Sequence, residues 1–334
     1  MQMLNFKLVL IMRKITLLFI MLALSLPLFA QSVETEVGIS CSWGTLSATL
    51  AQPEKGSDTA LVIVAGSGPT DRNGNSQLNL NTYSYKMLSD ALVERGFAVL
   101  RYDKRAIGAS RIDPAEIPNL VFDDFVDDAL ECANYLRDKG FRRVVMAGHS
   151  EGGLISLVAA SREGCPLDGV VLLCAPGYAM DKILLKQLNQ QLMPQYMSLV
   201  VLSSKILTRL KSGEMVPEAD IPKELLSLFH PTVQPFLISN MRYEPAELAR
   251  GISLPMLVIT GGNDIQVSTD NGDRIAEVAP NAKHITFERM THVLKDFNSK
   301  DRVEQVVNIY VNAKAPLTDG LVSSIVDFVN NIKY

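Results

Sequence analysis

The 334-residue chain reads as an α/β protein whose mostly parallel central sheet is covered by helices on both faces. Three observations predict this. Short apolar runs without alternation recur along the chain, as expected of strands buried on both sides. Amphipathic stretches of helical period separate them, the grammar of a parallel sheet with crossover helices. A serine also sits on a glycine-flanked corner, Gly148-His149-Ser150-Glu151-Gly152, where one strand run gives way to a helix.

Taken in order, residues 34–41 and 44–50 alternate and predict two antiparallel strands. Buried strands follow at 61–65, 98–102, 144–147, 170–173 and 256–259, with a last one at 284–287. Helices are predicted at 85–95, 122–139, 153–162 and 270–278. The interval from about 178 to 251 breaks the rhythm. It offers helical stretches at 183–193, 197–210 and 224–229 and no buried strand, which predicts an inserted helical cap. Met180, Leu184, Leu185, Leu188, Met193, Met197, Leu199 and Val200 give this cap enough apolar surface to cover a site for an apolar group, or to pack against one another. One α/β domain with this insertion would run over 31–334.

Composition sets the broad class. A 47% hydrophobic content is ample for a large core, and a net charge of −4 with dispersed Lys and Arg lacks the basic stripe that nucleic acid requires. The N-terminus predicts an export signal: Met12-Arg13-Lys14 supplies charge, residues 15–28 supply an apolar run, and Ala30 precedes a polar segment from Gln31. Residues 1–11 precede this signal and read as an upstream start artefact. The apolar run, about 14 residues, falls short of the roughly 20 needed to span a bilayer, so cleavage and a periplasmic or secreted protein without a stable anchor are expected. Cys41, Cys132, Cys165 and Cys174 are widely spaced and lack metal-ligand spacing. Cys174 reads as a buried small hydrophobe, and a Cys132 to Cys165 bridge is open. No feature sets an oligomeric state.

The serine corner carries the chemistry. A sharp strand-to-helix turn forces Ser150 into a strained conformation and presents its hydroxyl, while glycines clear the space around it. The amide of Glu151, at the helix start, is a donor for developing negative charge. A serine near neutral pH needs a base, and there are four histidines. His149 adjoins the serine and should point away, His230 falls in the cap, and His284 begins the last strand. His292, in the loop after that strand, is the candidate. Asp264, after the 256–259 strand through Gly261-Gly262-Asn263, is the acid that would orient it, whereas Asp270 and Asp273 are explained by the helix start. The chain order Ser150, Asp264, His292 is that of an α/β-hydrolase. The second oxyanion donor is assigned to the amide of Ser67 in Ala65-Gly66-Ser67-Gly68-Pro69, after the first parallel strand.

Over residues 59–332 the chain resembles the α/β-hydrolase superfamily, and within it the bacterial EstD-like esterases with a serine aminopeptidase (S33-like) hydrolase domain. The resemblance rests on the runs 66–74 and 148–153, on Arg101-Tyr102-Asp103-Lys104-Arg105, on Gly262-Asn263-Asp264, and on His292-Val293-Leu294-Lys295. It implies a carboxylic ester hydrolase without metal or organic cofactor, acting on a small-molecule ester through an acyl-enzyme. Ala106 departs from the family pattern, which commonly has glycine there, and Ala65 replaces a histidine seen in many hydrolases. Asp71, Arg72 and the Asp103-Lys104-Arg105 run are expected to hold one another in place rather than touch substrate. A periplasmic aminopeptidase with the same triad is the alternative, with Glu214, Glu218, Glu244 and Glu247 available to capture an amino group. An intact triad in order argues against a catalytically silent binding protein.

Overall fold

A computed structural model describes residues 32–76 and 80–333; the predicted export signal lies outside the described residues. The sheet has eight strands: β1 (Ser32–Cys41), β2 (Gly44–Pro53), β3 (Thr59–Val64), β4 (Ala98–Tyr102), β5 (Arg143–His149), β6 (Gly169–Leu173), β7 (Met256–Gly261) and β8 (Ala282–Phe287). Their spatial order is β1-β2-β4-β3-β5-β6-β7-β8. β1 pairs antiparallel with β2, and β2 antiparallel with β4; every other pairing is parallel. The apolar runs become β3 to β7, buried throughout except for Arg143 at the start of β5, whereas the edge strand β8 is partly exposed.

Two core layers sandwich the sheet. On one face lies α2 (Phe122–Asp138), whose buried Phe122, Val126, Ala129, Ala133 and Leu136 recur at helical spacing, beside α3 (Glu151–Ser161). The α2 start is secured by Asp124, whose carboxylate accepts the Val121 amide at 2.8 Å. On the other face, Leu88 and Leu92 of α1 (Ser84–Glu94) join Leu321, Ile325 and Val329 of a C-terminal helix, Leu321–Asn330, which the sequence reading did not delimit.

Between β6 and β7 the chain is helical: α4 (Met180–Leu192), α5 (Met197–Lys211), α6 (Gln234–Asn240) and α7 (Pro245–Gly251), with short turns between. These helices carry their own apolar cluster, centred on Ile206, Leu207, Leu210, Phe229 and Leu237. Leu185, Leu188 and Leu199 pack on that cluster, Met193 and Met197 are exposed, and Met180 and Leu184 also face the cavity described below. The apolar surface is thus divided between packing within these helices and the cavity lining.

All four cysteines are free thiols, so no Cys132 to Cys165 bridge forms; Cys132 is spent in the core of α2. No helix among the described residues is long and apolar enough to cross a membrane.

Candidate active site

The parallel strands end on one side, and their loops enclose a cavity of about 330 Å³ lined by Ser67, Ser150, Glu151 and His292 together. Ser150 forms the corner between β5 and α3 with φ 54°, a left-handed value that strains any residue but glycine. The corner closes because Gly148 and Gly152 lack side chains. A Cβ on Gly148 would collide with the Gly152 carbonyl, and one on Gly152 with that of Val64. The Ser150 amide donates to the Leu173 carbonyl at 2.8 Å, which ties the corner to β6.

Asp264 is held from two sides. One carboxylate oxygen accepts the amides of Gln266 (2.7 Å) and Val267 (2.9 Å), and the other accepts His292 Nδ1 at 2.7 Å. Its side chain is fully buried. That hydrogen bond places the His292 proton on Nδ1 and leaves Nε2 as the basic nitrogen. The loop that carries His292 is closed by two bonds in the same direction, the Thr291 amide and hydroxyl both donating to the Lys295 carbonyl. Lys295 donates to the carbonyls of Thr82 and Asn312, and burial lowers its ammonium to about 8. Ser150 and His292 share the cavity without a hydrogen bond between their side chains among the described contacts. Neither the Ser67 amide nor the Glu151 amide donates to a protein acceptor among the described residues, so both are available at the cavity wall.

His149 makes no hydrogen bond to the Ser150 side chain among the described residues, and both of its ring nitrogens are engaged elsewhere. The Gly66 amide donates to the Tyr85 hydroxyl oxygen (3.2 Å), which leaves the one Tyr85 proton to go to His149 Nδ1 (2.8 Å). His149 must then carry its proton on Nε2 and donate it to the His292 carbonyl (2.7 Å). The chain of donors links the loop after β3, the serine corner and the His292 loop. Burial drives His149 down to about 3, with the neighbouring His292 adding to the effect, so the ring stays neutral.

Three side chains make contacts that the sequence reading did not assign. The Glu151 side chain is buried at the cavity wall. Burial raises its carboxyl while Lys104 and the Ser67 hydroxyl pull it back. Lys104 reaches the oxyanion loop, its Nζ donating to the Gly66 carbonyl at 2.5 Å. Burial, with the Asp264 carboxylate adding to the effect, raises the Cys174 thiol well above an ordinary thiol. No local pattern signals these contacts, which join residues far apart in sequence. His149, Cys174 and His292 are close enough to be considered as metal ligands, but three of the four ring nitrogens are already committed to Tyr85, Asp264 and the His292 carbonyl.

The remaining candidates lie elsewhere. His230 bonds to Thr232, and His284 sits on β8 against Thr260. Arg72 is locked to Asp103 through both its amide and its guanidinium, Arg105 to Asp128, and Asp71 caps the turn through the amides of Asn73 and Asn75. None of these charged side chains lines the cavity. Glu214 pairs with Arg209, Glu218 with His230, Glu247 with Arg250, and Glu244 with Lys182, Lys211 and Arg274, all outside the cavity lining.

Comparison with known proteins places this geometry. The family model described as serine aminopeptidase, S33, matches residues 79–295, a span that holds Ser150, Asp264 and His292. Esterase EstD of Thermotoga maritima is 29% identical over 239 residues, which cover 70% of this chain and 54% of the relative. The chain thus spans about half the length of that curated relative. Among solved structures, the esterase Pf2001 of Pyrococcus furiosus is similar at 18% identity and a TM-score of 0.57, covering 91% of this chain and 92% of its own. Est1E of Butyrivibrio proteoclasticus, solved with ferulic acid bound, is similar at 17% identity and a TM-score of 0.55, covering 88% and 96%. At these identities the likeness is one of fold, and with the sheet order above it identifies the α/β-hydrolase fold. The chain belongs to the serine aminopeptidase S33 family of hydrolases.

Proposed function

We propose that this protein is a serine carboxylic ester hydrolase acting on neutral esters of short or medium acyl chains. The observation that carries the reading is the convergence on one cavity of a strained serine, a histidine oriented by a buried aspartate, and two unpaired backbone amides. His292 takes the proton from Ser150 as the hydroxyl attacks the ester carbonyl. The oxyanion rests on the Ser67 and Glu151 amides, the alcohol leaves with the proton returned by His292, and water then releases the acid by the same route. The inserted helices serve as a cap, with Met180, Ile183 and Leu184 offering an apolar wall to the acyl chain. The esterase names of EstD and Pf2001 agree with this assignment. We read the protein as exported, on the strength of the charged and apolar N-terminal run.

The aminopeptidase alternative requires a carboxylate to hold a free amino group. Glu151 is the one acidic side chain on the cavity wall, and it already interacts with Lys104 and Ser67. That favours esters. The test is a panel of p-nitrophenyl esters of increasing acyl length set against aminoacyl p-nitroanilides. Esters should be preferred, and Ser150→Ala should lose activity by about four orders of magnitude or more. Preference for the anilides would overturn the ester assignment, and a Ser150→Ala variant with wild-type turnover would overturn the nucleophile.

A further inference from the structure

Lys104 lies in a charged run whose two neighbours are spent on other elements: Asp103 holds Arg72, and Arg105 holds Asp128. Lys104 turns instead to the loop after β3, behind the cavity lining. It is 4% exposed, it stands 6.0 Å from the Phe125 ring, and its single hydrogen bond among the described residues goes to the Gly66 carbonyl. Glu151 is the acid that acts on it, without reaching ion-pair distance. A buried ammonium with one hydrogen bond and no contact ion pair is a poor stabilising device, because desolvation outweighs what such a partner returns. Its position has to be explained by what it holds.

The Gly66 carbonyl and the Ser67 amide belong to the same peptide unit, which is trans. In a planar trans peptide the C=O and the N–H point in opposite directions. Fixing the carbonyl toward buried Lys104 therefore aims the Ser67 N–H toward the cavity. The Gly66 amide is fixed independently by Tyr85, so the loop is held on both sides of this glycine. A donor on the carbonyl oxygen also draws density along the amide and makes its N–H a stronger donor.

We propose that Lys104 is a positioning residue for ester hydrolysis, holding and polarising the Gly66–Ser67 peptide so that the Ser67 amide stabilises the anionic tetrahedral intermediate. This rests on the esterase reading and on Ser67 as an oxyanion donor. The expected signature is one that a purely structural residue would not give. Lys104→Met should lower kcat on p-nitrophenyl acetate by about 10- to 100-fold while KM stays within about twofold. Affinity for an alkyl trifluoromethyl ketone, which forms an anionic adduct on the serine, should fall by the same factor as kcat/KM, and the thermal midpoint should hold or rise. Lys104→Gln, which keeps a neutral donor of shorter reach, is read by the same criteria if the methionine variant does not fold. A folded variant with kcat within about threefold of wild type overturns the proposal, as does a fall in kcat with unchanged ketone affinity. Failure of both variants to fold overturns it as well, because Lys104 would then be a stability residue. Ser150→Ala, assayed alongside, separates the two levels: if it is inactive while Lys104→Met is wild type, the esterase reading stands and the role of Lys104 falls.

Discussion

A neutral histidine beside a histidine that must charge is a useful arrangement, since a second imidazolium there would repel the one formed during catalysis. His149 is kept in that state by burial and by the proton supplied from Tyr85. The same feature makes stability depend on pH. In the unfolded chain His149 titrates near 6.5, and in the fold near 3, so between these values the unfolded chain binds a proton that the fold refuses. The contribution is complete above pH 6.5 and is lost as the pH falls toward 3. Denaturant unfolding should therefore show a loss from this residue of about 2–3 kcal/mol between pH 7 and pH 4.5. His149→Gln should flatten that slope, and an unchanged slope would contradict the assignment. At this scale the sequence was informative about Ser150, Asp264 and His292, because a strained corner, a limited set of histidines and a chain order constrain them. It gave Lys104 only a general structural role and Tyr85 only a place in a helix, since their bonds to the oxyanion loop and the corner span 38 and 64 residues and arise only once strands β3, β4 and β5 lie side by side.

Elements were readable in proportion to how completely they are buried. The runs that became β3 to β7 are apolar because both faces of the sheet are covered, and that signal survives without any knowledge of neighbours. The helix Leu321–Asn330 is amphipathic and was covered by the family resemblance, yet it follows a long irregular stretch that hides where it starts. The turn after β4 shows a departure with a measurable cost. Ala106 adopts φ 68°, a left-handed conformation closed by the hydrogen bond from its amide to the Ser110 carbonyl at 2.8 Å. Ala106→Gly should relieve that strain and gain about 0.5–1 kcal/mol, less than the full conformational penalty because glycine also loosens the unfolded chain. Urea unfolding measures it directly; a glycine variant less stable than wild type would show that the alanine methyl has a packing role here.

For the whole molecule, the sheet order dictates that loops from β3, β5, β7 and β8 meet at one end, while the helices between β6 and β7 lie over them in sequence order alone among the expectations. Architecture was legible because alternation of strand and helix leaves few topologies, whereas the polarity of the chamber was not, since it depends on which charged side chains turn outward. That polarity bears on the end of the catalytic cycle. Hydrolysis converts a neutral ester into a carboxylate, and it does so in a chamber that has no lysine or arginine on its wall among the described residues, beside Glu151, in a chain of net charge −4. The product is thus less welcome than the reactant from which it came. Acetate or butyrate added to an assay on the matching ester should inhibit only at concentrations at least about tenfold above KM, and inhibition at or below KM would point to a cationic group at the site. The neutral lining is then a means of clearing the chamber for the next turnover, driven by the charge that the reaction itself creates.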